Sequence, residues 1–315
     1  MKKKLKESGR APGVLVLLAS YNGKGYIEEQ IESIFAQQNV DVSIVISDDC
    51  SRDGTYEHLY EKYRSNSRIS FRRSEEPSGS AGANFRSLYR EIDSAGYDFV
   101  ALSDQDDIWA PDKLVNSIAC LESGDFHGYS CAVTAFWNDG RETLLKQSGR
   151  MRELDYLFEG AGQGCTFVVS RRFFERVQQF CRIFHAESEA LHYHDWLIYA
   201  FARITGVKWY FDQRSFIRYR QHGGNEIGAR GGASAMLRRL SLIRNGWYAR
   251  QIHAAVEIAR LSHDNSGLFS TFCKLYHRRK SVIRRVALGM FLLRHGRRKM
   301  VDRMVLAFAA AMQWI

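Results

Sequence analysis

Three carboxylates crowd into four residues at Asp104, Asp106 and Asp107, inside the stretch SDQDDIW (103–109). Such charges repel one another, and a hard divalent cation held by oxygen ligands is the natural relief. Magnesium or manganese would take one or two of these carboxylates, with phosphate oxygens of a bound molecule and water completing the shell. The competing reading is a solvated acidic turn in which Asp107 or Asp112 caps the helix opening near Pro111. A second acidic pair, Asp48-Asp49, precedes Ser-Arg-Asp-Gly-Thr. It suits hydrogen bonds to a nucleobase edge or a ribose, while Asp53-Gly54 makes a turn and Thr55 caps a helix. Another carboxylate, Asp195, stands in HYHDW (192–196) at an expected helix start, where capping is its bland role. His192 and His194 make an HxH pair, yet no Cys or His lies at the spacing of a structural zinc site.

The elements around these residues decide whether they meet. Residues 14–19, 42–47 and 99–102 are short apolar runs bounded by turn residues, as buried parallel strands read. Helical periodicity fills the intervals: Ile27, Ile31, Ile34 and Phe35 share one face, as do Tyr56, Leu59, Tyr60 and Tyr63, and Phe85, Leu88, Tyr89 and Ile92. A short strand at 69–72 precedes the last of these. Strands alternating with helices give right-handed β-α-β units and a doubly wound, mostly parallel α/β sheet. Ligands of such sheets bind outside the carboxyl ends of the strands. The expected strand ends are ASYNG (19–23), SDDCS (47–51) and SDQDD (103–107), so the acidic residues gather where a site belongs. Further strands are expected at 129–137, 164–170 and 209–211, with helices over 171–180 and 195–205. From 233 onward the pattern is helical, with Gly267 and Gly296 as breaks.

Composition sets the outer bounds. The 315 residues are 45% hydrophobic, 25% charged and 13% aromatic, which is globular composition and excludes disordered and collagenous chains. Of the 45 Lys and Arg, 16 lie from Gly231 on, against only 3 of the 35 Asp and Glu; the body is near neutral and the tail cationic. The six cysteines are scattered without CxxC spacing and read as reduced thiols, pointing to a cytoplasmic protein. No run of about 18 apolar residues predicts a spanning helix.

ASYNG (19–23), ISDDCSRDGT (46–55) and SDQDDIW (103–109), in that order and spacing, resemble the family 2 glycosyltransferases of GT-A fold. HDW (194–196) and YRQHGGN (219–225) look like the bacterial rhamnosyltransferase-type branch. The likeness spans residues 12–230, expected as the catalytic domain, with 231–315 as a basic helical extension. It implies an inverting, metal-dependent transfer of a sugar, such as rhamnose from dTDP-rhamnose, from a dTDP- or UDP-linked donor to a surface polysaccharide or lipid-linked glycan. Carried over position by position, it puts Ala19, Ser20 and Tyr21 along the base and Asp48 and Asp49 on the base edge. Asn84 and Arg86 in the segment before the third helix contact the nucleotide. Asp104, beside Gln105, approaches the ribose, and Asp106 holds Mg2+ or Mn2+. Asp195 becomes the catalytic base, with Trp196 completing its motif and the flanking histidines shaping the acceptor pocket or tuning it. His222 approaches the diphosphate or the metal with Arg220 nearby, a packed structural histidine being the competing role. Gln163 and Cys165 in GAGQGCT border the acceptor side, the alternative there being a tight turn with a buried thiol. The QHGGN and GARGG stretches read as a mobile loop over the donor.

Two rival classes fit less well. A sugar nucleotidyltransferase needs a basic glycine-rich phosphate loop after the first strand, where ASYNGKGY offers only Lys24. A catalytically dead scaffold would not need the intact carboxylate set. The tail from Arg284 interleaves Arg and Lys with apolar residues, as basic amphipathic helices do at an anionic membrane surface. That predicts peripheral attachment at the inner face of the plasma membrane; packing on the body or against a second copy in a homodimer is the alternative. Nucleic acid is a poor fit, since no reader motif or stacking pattern is present.

Overall fold

β1 (Gly13–Ser20) is buried along all eight residues and sits inside the sheet, between β2 (Asp41–Asp48) and β4 (Phe99–Ser103), both parallel to it. The computed structural model describes residues 10–146, 150–222, 240–264, 266–277 and 281–315. The glycine-rich stretches beyond His222, expected as a mobile loop, lie outside them. The chain divides into two compact units. The first comprises 1–147, 161–185 and 207–225, and the second 148–160, 186–206 and 226–315.

In the first unit, α1 (Ile27–Phe35) joins β1 to β2, and α2 (Thr55–Tyr63) joins β2 to β3 (Ile69–Arg73). α3 (Ala81–Glu91) leads into β4, and the order β3-β2-β1-β4 is the doubly wound half of the fold. α1 buries Ile27, Ile31 and Ile34 on one side, as its spacing predicts. Ser80 caps α3 by accepting the Ala83 N–H at 3.1 Å. Thr55, expected as a cap, is instead the first residue of α2; Gly54, with a φ of 81°, is the cap, and Asp53 accepts the Thr55 N–H.

Past β4 the sheet turns mixed. β8 (Val168–Ser170) runs antiparallel to β4 and to β6 (Gly128–Trp137), and β7 (Glu142–Leu145) pairs β6 antiparallel. The expected strand at 164–170 forms only over its last three residues, because Gly164–Thr166 is a 3₁₀ turn. β9 (Trp209–Gln221) runs ten residues beyond the expected 209–211, parallel to β6. Its far end pairs antiparallel with a two-residue strand missing from the sequence reading, β5 (Ile108–Trp109), through Ile108 opposite Arg218 and Trp109 opposite Ile217. This pairing carries the acidic turn to the end of β9. α4 (Lys113–Glu122) and α5 (Arg171–Ile183) complete the unit.

The second unit is helical among its described residues. α6 (His185–Ala190) and α7 (His194–Ile204) precede α8 (Trp247–Leu261), α9 (Gly267–His277), α10 (Val282–His295) and α11 (Met300–Ala311). Its centre is the segment around the 3₁₀ turn Asp155–Leu157. Asp155 is fully buried, and its carboxylate takes hydrogen bonds from Tyr199 at 3.0 Å, Arg203 at 2.6 Å and Arg298 at 3.3 Å. Burial still holds its carboxyl above the usual range, with the two guanidinium groups pulling the other way. Glu159 accepts from the Arg297 guanidinium at 3.2 Å and from the Arg298 N–H at 2.5 Å, so the corner between α10 and α11 is tied to this segment.

Candidate active site

The ends of β1, β2 and β4 are laced together by their own polar groups. The Asn22 N–H donates to Ser51 Oγ at 2.8 Å, and Asn22 Oδ1 accepts the Arg52 N–H at 2.8 Å. Gln105 clips Tyr21 as a neighbouring strand would: Oε1 accepts the Tyr21 N–H and Nε2 donates to the Tyr21 carbonyl, both at 2.9 Å. A Cβ on Gly23 would lie 2.1 Å from that amide oxygen, so the clip requires glycine there. Gln105, expected as a nucleotide contact, thus has its amide engaged in shaping the turn at Tyr21, whose ring is left exposed.

Ser20 and Asp48 are register partners on adjacent parallel strands, both buried. Asp48 Oδ2 accepts the Ser51 N–H at 2.9 Å, while its Oδ1 and the Ser20 Oγ have no partner among the described residues. Burial pushes the Asp48 carboxyl above its usual range. Two unsatisfied buried oxygens at neighbouring strand ends are costly unless a ligand supplies their hydrogen bonds. Other expected nucleotide contacts are bound within the protein. Asp49 accepts the Ser78 N–H at 2.7 Å and the Ser78 hydroxyl at 2.8 Å, fixing the loop before α3. Asn84, on α3, accepts from Ser47 Oγ at 2.7 Å and donates to the Ser47 carbonyl at 3.0 Å. Arg86 is buried on the same helix, and Ala19 lies within the core at the end of β1.

The acidic turn divides by burial. Asp104 is half-buried, Asp106 and Asp107 are buried. Asp106 Oδ2 lies 2.6 Å from His222 Nε2, and the His222 ring stacks on Tyr26 with centroids 5.1 Å apart and planes 17° from parallel. Arg220 braces the turn: its Nε donates to the Asp106 carbonyl at 3.0 Å, its backbone N–H to Asp107 Oδ1 at 3.3 Å, and its guanidinium pairs with Glu29. Carboxylate oxygens of Asp104 and Asp107 and the Cys165 thiol lie within 4.8 Å of one another. That trio suits a hard cation poorly. Asp107 and Cys165 are fully buried; burial and then the neighbouring Asp106 and Asp104 charges push the Asp107 carboxyl well up, and burial does the same to the thiol. The Asp106 carboxylate and the half-buried His222 imidazole, 2.6 Å apart, are the better donor set for magnesium or manganese. Gln163 is half-buried, and its carbonyl accepts the Thr166 N–H at 3.0 Å, as a tight turn requires.

Asp195 belongs to the second unit. Tyr193 is the helix cap of α7 and makes no side-chain cap bond; Asp195 is the second helical residue, with Oδ1 accepting the Trp196 N–H at 2.6 Å. A carboxylate there is favoured by the helix dipole. Trp196, expected at the diphosphate or acceptor, has a buried indole whose N–H donates to the Tyr156 carbonyl at 2.7 Å. A Cβ on Gly160 would come within 3.3 Å of the Trp196 backbone, so the 155–160 segment packs directly beneath the helix start. The His192 N–H donates to Gln251 Oε1 at 2.7 Å and its ring meets Tyr193 and Trp247 edge-on; His194 is buried. No cluster with metal-ligand spacing includes either histidine among the described residues.

Residues 15–177 match the family described as Glycosyl transferase family 2. The chain is also 38% identical over 251 residues to a protein of Shigella flexneri described as dTDP-rhamnosyl transferase RfbG, covering 79% of this chain and 86% of that one. The chain belongs to glycosyl transferase family 2. This glycosyltransferase is also 37% identical over 125 residues to a putative teichuronic acid biosynthesis glycosyltransferase, TuaG, of Bacillus subtilis, covering 38% and 47% of the two chains. Among solved structures it resembles S. aureus TarS 1-349 in complex with UDP-GlcNAc, with a TM-score of 0.54 and 16% identity over 96% of this chain and 89% of that one. The fold is GT-A.

Several residues that shape the glycosyltransferase site were not singled out from the sequence. Tyr26 at the cap of α1, Glu29 in its first turn, and Ser78 before α3 carry no motif of their own. The length of β9 did leave a signal: Ile217, Tyr219 and Gln221 are buried while Arg218 between them is exposed. A period-two reading of SFIRYRQ would have extended the strand to the site.

Proposed function

We propose that this glycosyltransferase moves rhamnose from dTDP-rhamnose to a hydroxyl of a surface polysaccharide or lipid-linked glycan, by a metal-assisted single displacement that inverts the anomeric centre. The observation that carries the reading is the Asp106–His222 contact at 2.6 Å, at the same strand ends as the unpartnered Ser20 Oγ and Asp48 Oδ1. The description of the Shigella flexneri relative as a dTDP-rhamnosyl transferase supports the choice of donor.

Each group has a chemical task in this reading. Ser20 and Asp48 receive hydrogen bonds from, or give them to, the nucleoside, which satisfies oxygens otherwise left bare. Asp49, Asn84 and Gln105 act by fixing the loops around it. Asp106 and His222 would hold magnesium or manganese, with Asp104 turned to the ribose. When bound, the ion would neutralise charge on the diphosphate as it leaves. Arg220 holds the acidic turn against β9 and brings positive charge to it. Asp195 takes the proton from the acceptor hydroxyl as that oxygen attacks the anomeric carbon; the bond to the diphosphate oxygen breaks and the nucleoside diphosphate departs.

The test is turnover of purified protein with dTDP-rhamnose, compared with UDP-linked sugars, with and without manganese, reading the product's anomeric configuration by NMR. Inverted rhamnoside only with dTDP-rhamnose and metal is the expected result. Retained configuration, or equal use of UDP-sugars, would refute it.

A further inference from the structure

Nine of the fifteen large apolar side chains left exposed among the described residues lie on α10 and α11. Soluble monomers rarely concentrate apolar surface in this way without a partner for it. The spacing is regular. Ile283, Val286 and Met290 on α10 and Val301, Met304 and Phe308 on α11 each follow i, i+3, i+7, so each helix shows solvent one apolar stripe. Ile283 is 81% exposed and Val301 67%. The opposite sides are used inside the unit. A Cβ on Gly289 would lie 3.3 Å from the Ala307 carbonyl, so the two helices touch backbone to backbone. Arg303 donates to the Leu293 carbonyl at 2.8 Å and Arg285 to the Ala311 carbonyl at 3.3 Å, bracing the hairpin.

The charge around this face says what covers it. Arg294 and Lys299 are exposed at the turn of the hairpin, and in the sequence Arg278, Arg279 and Lys280 come just before α10. Asp302 is the one acidic residue from 278 onward, and it lies 3.5 Å from Arg297 in an ion pair. A second copy would bring the same cations against these. An anionic surface is complementary to them, and the helices are the right kind for it. With 14 and 12 residues they span about 21 and 18 Å, too short for a hydrocarbon core of about 30 Å. No described helix is long and apolar enough to cross a membrane. Helices of this size with one apolar stripe lie along the headgroup region with the stripe buried.

We infer that the exposed stripes of α10 and α11 form a docking face for an anionic lipid bilayer. The protein binds by inserting Ile283, Val286, Met290, Val301, Met304 and Phe308, with Arg294 and Lys299 on the headgroups. Nothing in this depends on which sugar is transferred.

Co-sedimentation of the full chain with vesicles tests it without measuring turnover. Vesicles of equal parts phosphatidylglycerol and phosphatidylcholine bind the protein, phosphatidylcholine vesicles do not, and added salt weakens binding. Ile283→Glu with Val301→Glu lowers the partition coefficient more than about tenfold. Arg294→Gln with Lys299→Gln lowers it roughly 10- to 30-fold. Unchanged melting temperature and nucleotide affinity in these variants show that the fold survives. Failure to bind phosphatidylglycerol vesicles, equal binding to phosphatidylcholine alone, or parental binding by the Glu variant overturns the proposal. So does a dimer in sedimentation equilibrium that the Glu substitutions dissociate, since the face would then belong to a second copy.

Discussion

His222 Nε2 lies 2.6 Å from Asp106 Oδ2, although 116 residues separate them in the chain. The contact exists because β5 pairs with the far end of β9, and it is held from behind by Tyr26 against the imidazole and Arg220 against the Asp106 carbonyl. In the proposed function this carboxylate and this imidazole are the pair that would hold the metal.

Asp106→Ala should therefore weaken dTDP binding at least about tenfold when manganese is present and leave it unchanged in a chelator. His222→Ala should act in the same direction. Calorimetric titration with and without the ion checks both. Equal losses under the two conditions would mean that the pair is structural.

Asp195→Asn should lower turnover by roughly 10² to 10⁴ while sparing nucleotide affinity, because only proton removal from the acceptor is lost. Steady-state rates beside a dTDP titration separate the two effects. Normal turnover by this variant would move the base elsewhere.

Lys113 is fully buried at the start of α4 with its Nζ 3.4 Å from the centre of the Trp109 ring. Burial pushes its ammonium down to about 8, with Cys131, Cys165 and Asp107 acting weakly the other way. The unfolded chain holds that proton to higher pH, so below about 8 the folded state carries a charging penalty of about 3 kcal/mol. The penalty is relieved as pH rises from about 8 toward the ordinary 10.5. Lys113→Met should thus stabilise the protein at pH 7 by about 1–2 kcal/mol, after the lost cation–π contact is counted. That gain should shrink near pH 10. Urea unfolding at the two pH values measures it; a variant less stable at pH 7 would contradict the argument.

Arg298→Ala should destabilise the second unit by about 3 kcal/mol, because it strips a partner from buried Asp155 and from Glu159 together. It also removes the hydrogen bond to the Gly160 carbonyl, 2.5 Å from Nη2, beneath Trp196. The urea midpoint reports the loss. A change within about 0.5 kcal/mol, as for surface positions, would show that Arg203 suffices for Asp155.

How much of this could be read from residues in a row depended on the range of the interactions. The strand and helix alternation from 14 to 102 was legible because apolar periodicity is local, and β1, β2 and β4 lie within a residue or so of their expected bounds. The acidic clusters at strand ends were legible for the same reason: where a parallel strand stops, its next residues face the site. Sequence by itself thus determined the GT-A body, the carboxylates and the cationic, apolar tail.

Tertiary structure decided what each polar group is spent on. Gln105, Asn84 and Asp49 are engaged with Tyr21, Ser47 and Ser78, while Ser20 Oγ and Asp48 Oδ1 are left without partners among the described residues. It joined Asp106 to His222, and it gathered residues 148–160 and 186–206 with the helices after 226 into one unit. Those outcomes rest on pairings between residues dozens to more than a hundred positions apart. Their register is set by the packing of whole strands and helices, and no local pattern in the chain encodes it.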